Sequence, residues 1–185
     1  TKSKSFINKL INNKNKHLIL SSSISQINFN LCNFLYLDND AEVILCNFSN
    51  DSCIEYFEDI QNIIIKYWRI NEKDNTIIYK DLYKLINENT KLVVIPHVNN
   101  ILGSIINVKE IIHNIRLINN KVKIYVDGTA YLPHRNVDVY SNDCDFYAFS
   151  FQKFLGFKIS VLYIKNNPSF EYDAFDKLMI GGIQY

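Results

Sequence analysis

The chain has 185 residues, 48% of them hydrophobic, and a formal net charge of +1, with 20 Lys and Arg against 19 Asp and Glu. That length and apolar content suffice for one good core and favour a single domain over 1–185, and the balanced charge gives no electrostatic case for nucleic acid or an anionic membrane. No apolar run approaches the roughly 20 residues of a membrane-spanning helix, and the N-terminus lacks the charged-then-apolar pattern of a signal peptide; the expectation is a soluble protein.

In chain order, the first element is an amphipathic helix on which Lys2, Lys4, Lys9, Lys14 and Lys16 interleave with Asn and Ser. A solvated face explains these lysines, and a basic patch is the alternative. Short Ile/Val/Phe-rich runs at Leu18–Ser21, Val43–Cys46, Lys91–Pro96, Val122–Val126 and Asp145–Ser150 read as buried parallel strands. Between them, Ser25–Leu37, Ser52–Lys66, Lys80–Asn87 and Val108–Asn119 carry apolar residues at helical spacing. This βαβ rhythm predicts a mainly parallel, twisted α/β sheet with helices on both faces. The four cysteines, Cys32, Cys46, Cys53 and Cys144, show no C-x-x-C pairing and lie in or beside apolar runs, which favours ordinary buried thiols over metal ligands or disulfides.

Ligands of such sheets sit beyond the carboxyl ends of the strands. Asp127 follows one strand end, Lys153 another, and the His97–Gly103 loop a third. A carboxylate and an amine so placed suit pyridoxal phosphate (PLP), the amine as Schiff-base donor and the carboxylate as partner of the pyridinium nitrogen. Each residue also has a plain reading: Asp127 as a turn cap before Gly128, Lys153 as a surface lysine, and Asn100 as a loop hydrogen-bonder.

The segments T-K-L-V-V-I-P-H-V-N-N-I-L-G-S-I (90–105), V-D-G-T-A-Y-L-P-H-R-N-V-D-V (126–139), D-C-D-F-Y-A-F-S-F-Q-K (143–153) and V-L-Y (161–163) resemble, in order and spacing, the large domain of SufS-type cysteine desulfurases in the class V aminotransferase family. Weaker likeness extends upstream, where L-I-L-S-S-S-I-S-Q-I-N (18–28) stands at the family's phosphate-binding segment, and downstream to G-G-I-Q-Y (181–185). The resemblance implies a three-layer aminotransferase-like large domain, with Lys158–Ile164 as an antiparallel strand. It makes Lys153 the Schiff-base position and places Asp127, Asn100, Ser25 and Ser150 around the cofactor. It covers only the middle of the family's chain, without the small domain that carries the nucleophilic cysteine, to which none of the four cysteines corresponds.

Several positions depart from the family pattern. S-N-D-S-C (49–53) replaces E-H-H-x-N, so Asn50 and Asp51 stand at the two histidine positions of a segment in which the family stacks a histidine on the pyridine ring. Ala130 replaces a glutamine donor, and Phe151 and Gln152 stand where the family has glycine and histidine. The phosphate segment G-T-T becomes S-I-S (23–25), which loses glycine's close approach. Ser25 remains as a helix cap or phosphate donor. His97 and His134 are expected to satisfy local backbone, and Cys53 to pack.

Two readings follow. The first is a catalytically degenerate, desulfurase-like interaction subunit of a larger assembly, without cofactor. Lys153 would be a free amine paired with Asp127 across the cleft, and the side around Phe151, Phe154, Phe157 and Phe170–Tyr185 would be covered by another protein chain in a hetero-assembly or a family-like dimer. The second is a PLP-dependent enzyme completed by other segments or a partner. An organellar address, plastid or mitochondrion, is compatible with either.

Overall fold

The computed structural model describes residues 2–14, 17–35, 37–49, 51–99, 102–154, 156–166 and 175, with the backbone alone at 51–53. The apolar runs become β1 (Leu18–Ser21), β2 (Glu42–Cys46), β3 (Ile64–Trp68), β4 (Thr90–Pro96), β5 (Lys123–Asp127), β6 (Phe146–Ser150) and β7 (Ser160–Ile164). The helices are α1 (Lys2–Leu10), α2 (Ile24–Phe34), α3 (Asp51–Glu58), α4 (Tyr79–Leu85), α5 (Val108–Ile118) and the short α6 (Val139–Asn142).

All seven strands join one sheet in the order β1-β7-β6-β5-β4-β2-β3. β7 is antiparallel to both neighbours, β1 and β6, and every other pairing is parallel. Six strands therefore present their carboxyl ends at one edge. Alternation of side chains across the pleat feeds two cores. Ile44, Val93, Ile95, Ile124, Val126 and Tyr147 pack with Ile7 of α1, Leu82 of α4 and Ile111 and Ile115 of α5. Val43, Leu45, Leu92, Val94, Tyr125 and Phe146 pack with Ile27 and Leu31 of α2 and Phe57 of α3. Helices cover both faces, giving the three-layer α/β architecture expected.

The amino-terminal edge is tied by charge. Asp145, just before β6, accepts the Ile124 N–H at 2.8 Å and the Arg116 guanidinium at 2.6 Å, with Lys123 at 3.6 Å. Beside it Lys165 meets Asp143 at 2.6 Å. Glu42, opening β2, meets Lys66 of β3 at 2.7 Å and the Thr90 hydroxyl at 3.3 Å. These contacts join the starts of strands that the chain visits far apart in sequence.

One expected helix is corrected. Ser52–Lys66 divides into α3 and the edge strand β3, because the chain turns at Asn62, whose φ of 63° lies in the left-handed region. β3 borders solvent, with Ile64 45% exposed, yet its IIKYW run does not alternate apolar with polar residues and so reads as a continuation of the helical apolar pattern before it.

Candidate functional site

Three strand ends build a cleft. Asp127 is the last residue of β5 rather than the first beyond it, in register with Pro96 of β4 and Ala148 of β6. After β6, the Ser150 hydroxyl accepts the Gln152 N–H at 3.3 Å and caps a single 3-10 turn, Phe151–Lys153. That turn brings Lys153 to the same cleft as Asp127. Together with Pro96, Val98, Thr129, Ala130, Pro133 and His134 they line a cleft of about 220 Å³.

Asp127 is 8% exposed. Its Oδ1 accepts the Thr129 N–H at 2.9 Å, the carboxylate's one hydrogen bond of ordinary geometry among the described residues. The Thr129 hydroxyl lies near enough to favour the ionised carboxylate, yet its buried oxygen makes no such bond. Burial pushes the Asp127 carboxyl above the usual carboxylate range, and the Thr129 contacts and the charge of Lys153 oppose that rise. Lys153 itself is exposed. The expected Asp127–Lys153 pairing is corrected in degree: no ion pair within 4.0 Å joins them among the described residues, and the amine acts on the carboxylate at longer range.

The Asp127 turn is fixed from behind. Gly128 donates its N–H to Ala148 at 2.8 Å, and a Cβ there would sit 2.2 Å from the Tyr147 ring, so glycine is required by close packing. His97 donates its backbone N–H to the Asp127 carbonyl at 2.8 Å. Its imidazole stacks on Tyr131 at 3.5 Å between ring centres, and Nδ1 lies 2.8 Å from the Tyr147 hydroxyl. The expectation that His97 serves local backbone is thus corrected; its ring joins a buried aromatic network. Burial lowers its pKa to about 4, leaving a neutral ring at physiological pH.

The other expected residues divide. Ser150 holds the turn before Lys153 and lies at the carboxyl edge in register with Ser160, which in turn faces Ser21. Ser25 does not cap α2; Ser23 does, accepting the Gln26 N–H at 3.1 Å. Ser25 lies in the first turn of α2 and does not line the cleft, although α2 begins at the same sheet edge. Asn100 and Asn50 lie outside the described residues, as do the side chains of Asp51 and Cys53 and, apart from Phe175, the segment Phe170–Tyr185.

Phe151, expected on an exposed face, is instead 6% exposed and packs against Phe149 and Phe154, whereas Phe154 and Phe157 are 37% and 65% exposed. His134, expected to satisfy local backbone, donates its N–H to the Tyr131 carbonyl at 3.0 Å and is exposed where it lines the cleft with Lys153. Its position six residues beyond Gly128 in the strand-end motif was the available signal. Cys32, Cys46 and Cys144 are buried free thiols. Burial raises all three, Cys32 to about 12, so none is a ready thiolate. Among the described residues no group of His, Cys, Asp and Glu could hold a metal ion, and no helix is long and apolar enough to cross a membrane.

Residues 1–183 match the family Aminotransferase class-V. The chain belongs to the class V aminotransferase family. Over 159 residues it is 36% identical to the aminotransferase-like protein FGM3 of Gibberella zeae, covering 84% of this chain and 39% of that protein. Over 95 residues it is 44% identical to a probable cysteine desulfurase of Halalkalibacterium halodurans, covering 51% of this chain and 23% of the relative. In fold it is similar to C-DES, solved as a mutant with glycine covalently linked to the PLP cofactor. The TM-score is 0.80 at 18% identity, over 88% of this chain and 45% of that one. The class V chain thus spans less than half the length of each of these relatives. The SufS-type resemblance of the strand-end motifs falls within this family.

Proposed function

We propose that this class V chain provides the pyridine-binding part of a PLP site in an enzyme that acts on an amine-bearing substrate, completed by protein beyond these 185 residues. The observation that carries the reading is Asp127. A carboxylate held at 8% exposure with one ordinary hydrogen bond, its ionised form disfavoured by burial, suits a site that receives a cationic N–H. The residues present fit that end of the cofactor: Asp127 retains acceptor capacity toward a cleft that Lys153 also lines.

PLP, when bound, supplies an electron sink for charge developing beside the substrate's amine. Within this chain, Asp127 would hold a proton at the ring nitrogen, and the Thr129 N–H would orient the carboxylate. The Lys153 Nζ would provide the amine that anchors the cofactor and, when released, a base at the reacting carbon. His134 would serve as a second proton-transfer group at the rim. The first turn of α2, with Ser23 and Ser25, would offer N–H and hydroxyl groups to a phosphate. Aminotransferase-like FGM3 matches over more of this chain than the desulfurase does. None of the three described thiols, all buried and raised, offers a sulfur acceptor for a desulfurase reaction.

A second reading, a catalytically degenerate interaction subunit covered by another protein chain, is favoured by Ala130, which offers the cleft no donor, and by the exposed rings of Phe154 and Phe157. The two are separated by incubating the protein with PLP, reducing with borohydride and mapping the peptides. Labelling of Lys153, absent in Lys153→Ala, is expected; a folded protein left unlabelled supports the degenerate reading.

A further inference from the structure

Thr129 is 7% exposed, and its hydroxyl oxygen is buried without a hydrogen bond of ordinary geometry. Among the described residues it carries the only side-chain hydroxyl that lines the cleft, where the neighbouring wall is Pro96, Val98, Ala130 and Pro133. Packing alone does not call for an oxygen there, since valine has the same branched shape without the hydroxyl. A hydroxyl taken out of water is costly unless an acceptor meets it.

The acceptor at hand is Asp127. The Thr129 N–H already holds its Oδ1 at 2.9 Å, and the hydroxyl lies near enough to the same carboxylate to favour the charged form. Because the hydroxyl oxygen is itself out of reach of solvent, it acts on anything in the cleft only through that carboxylate. Around the carboxylate stand Lys153 from the turn after β6, Tyr147 of β6, His97 after β4, and Tyr131 and His134 after β5. None of these makes a hydrogen bond to it among the described residues. Both donors within reach of Asp127 therefore belong to Thr129.

We infer that Thr129 is a positioning residue for Asp127, its hydroxyl donating to the carboxylate when that group is ionised and so setting how strongly the cleft holds a cationic N–H. The hydroxyl hydrogen turns about its C–O bond to suit an acceptor, so the second bond forms without any movement of the backbone. A ligand that fills the cleft displaces water, and the carboxylate then keeps its charge only through donors fixed in the protein and the ligand's own N–H. The inference rests on the PLP reading for the identity of that cation, while the link between Thr129 and Asp127 can be measured without any cofactor.

Thr129→Val removes the hydroxyl and keeps the N–H, whereas Thr129→Ser keeps both. Carboxyl carbon NMR of the cofactor-free protein, with the Asp127 signal assigned through Asp127→Asn, follows the titration of this one group. In Thr129→Val the carboxyl should hold its proton about threefold or more tightly, and in Thr129→Ser within about twofold of the unaltered protein. The PLP concentration that half-labels Lys153 before borohydride reduction should rise about threefold or more in Thr129→Val and be restored in Thr129→Ser. Thr129→Ala gives the same reading should valine crowd the turn. Coincident Asp127 titrations in the unaltered protein and a natively folded Thr129→Val or Thr129→Ala overturn the inference, as does a change in Thr129→Ser equal to that in Thr129→Val. Tighter proton binding in Thr129→Val, in a protein whose Lys153 PLP never labels, would sink the proposed enzyme and leave the Thr129–Asp127 link standing.

Discussion

Asp127 and Asp145 occupy opposite ends of the same pair of neighbouring strands, and the protein treats them differently. Asp145 accepts a backbone N–H, a guanidinium and the nearby charge of Lys123, so its charge is met on several sides. Asp127 is as deeply placed and has one backbone N–H and a distant lysine. The first arrangement binds the start of the sheet together; the second leaves acceptor capacity facing a cleft. In a parallel sheet the two edges divide the labour of stability and ligand binding, and here the division is visible in the partners of two carboxylates.

The largest test of that contrast is Asp145→Ala. It strands Arg116 and removes the acceptor from the Ile124 N–H, so urea denaturation should show a loss of about 3 kcal/mol. Asp127→Ala should change stability far less, and equal losses at both positions would break the comparison.

Acid acts through the cleft's edge as well. Because burial depresses the folded-state pKa of His97 to about 4, the unfolded chain binds the extra proton first as pH falls below about 6.5. The neutral ring's contribution is fully present above that pH and is lost progressively down to about 4, by up to about 3 kcal/mol. His97→Gln should flatten this part of the pH–stability curve measured by thermal unfolding.

A smaller effect has the opposite sign. The Asp127 carboxyl is raised, so its contribution favours folding below the unfolded pKa and is lost as pH rises through the folded one. Asp127→Asn should therefore stabilise the cofactor-free protein at neutral pH by about 1 kcal/mol, while PLP affinity falls. A destabilised Asp127→Asn with intact PLP binding would place Asp127 in the structural class with Asp145.

The smallest difference concerns two serines. Ser23→Ala removes a helix cap and should lower stability by about 1 kcal/mol. Ser25→Ala should cost less than about 0.5 kcal/mol and, on the proposed reading, weaken phosphate-dependent binding of PLP, measurable by comparing PLP with pyridoxal.

The sequence by itself determined the layered α/β fold, because central parallel strands buried on both faces must be nearly continuous apolar runs, and those at 43–46, 91–96, 122–126 and 145–150 fall within one residue of the observed strands. It also placed Asp127 and Lys153 at one edge, since strand ends on a parallel sheet share a side. Only the tertiary structure decided that β3 is a strand, because its Ile64–Trp68 run shows no alternation and follows closely on the helical apolar pattern of α3, and pairing with β2 is what separates the two. Register and turn geometry decided the rest: that Ser23 rather than Ser25 caps α2, that Phe151 turns inward, that the His97 ring joins Tyr131 and Tyr147, and that Arg135 faces a groove while Arg116 closes on Asp145. These depend on contacts between residues distant along the chain, and local residue pattern carries no information on which distant partner a side chain will meet.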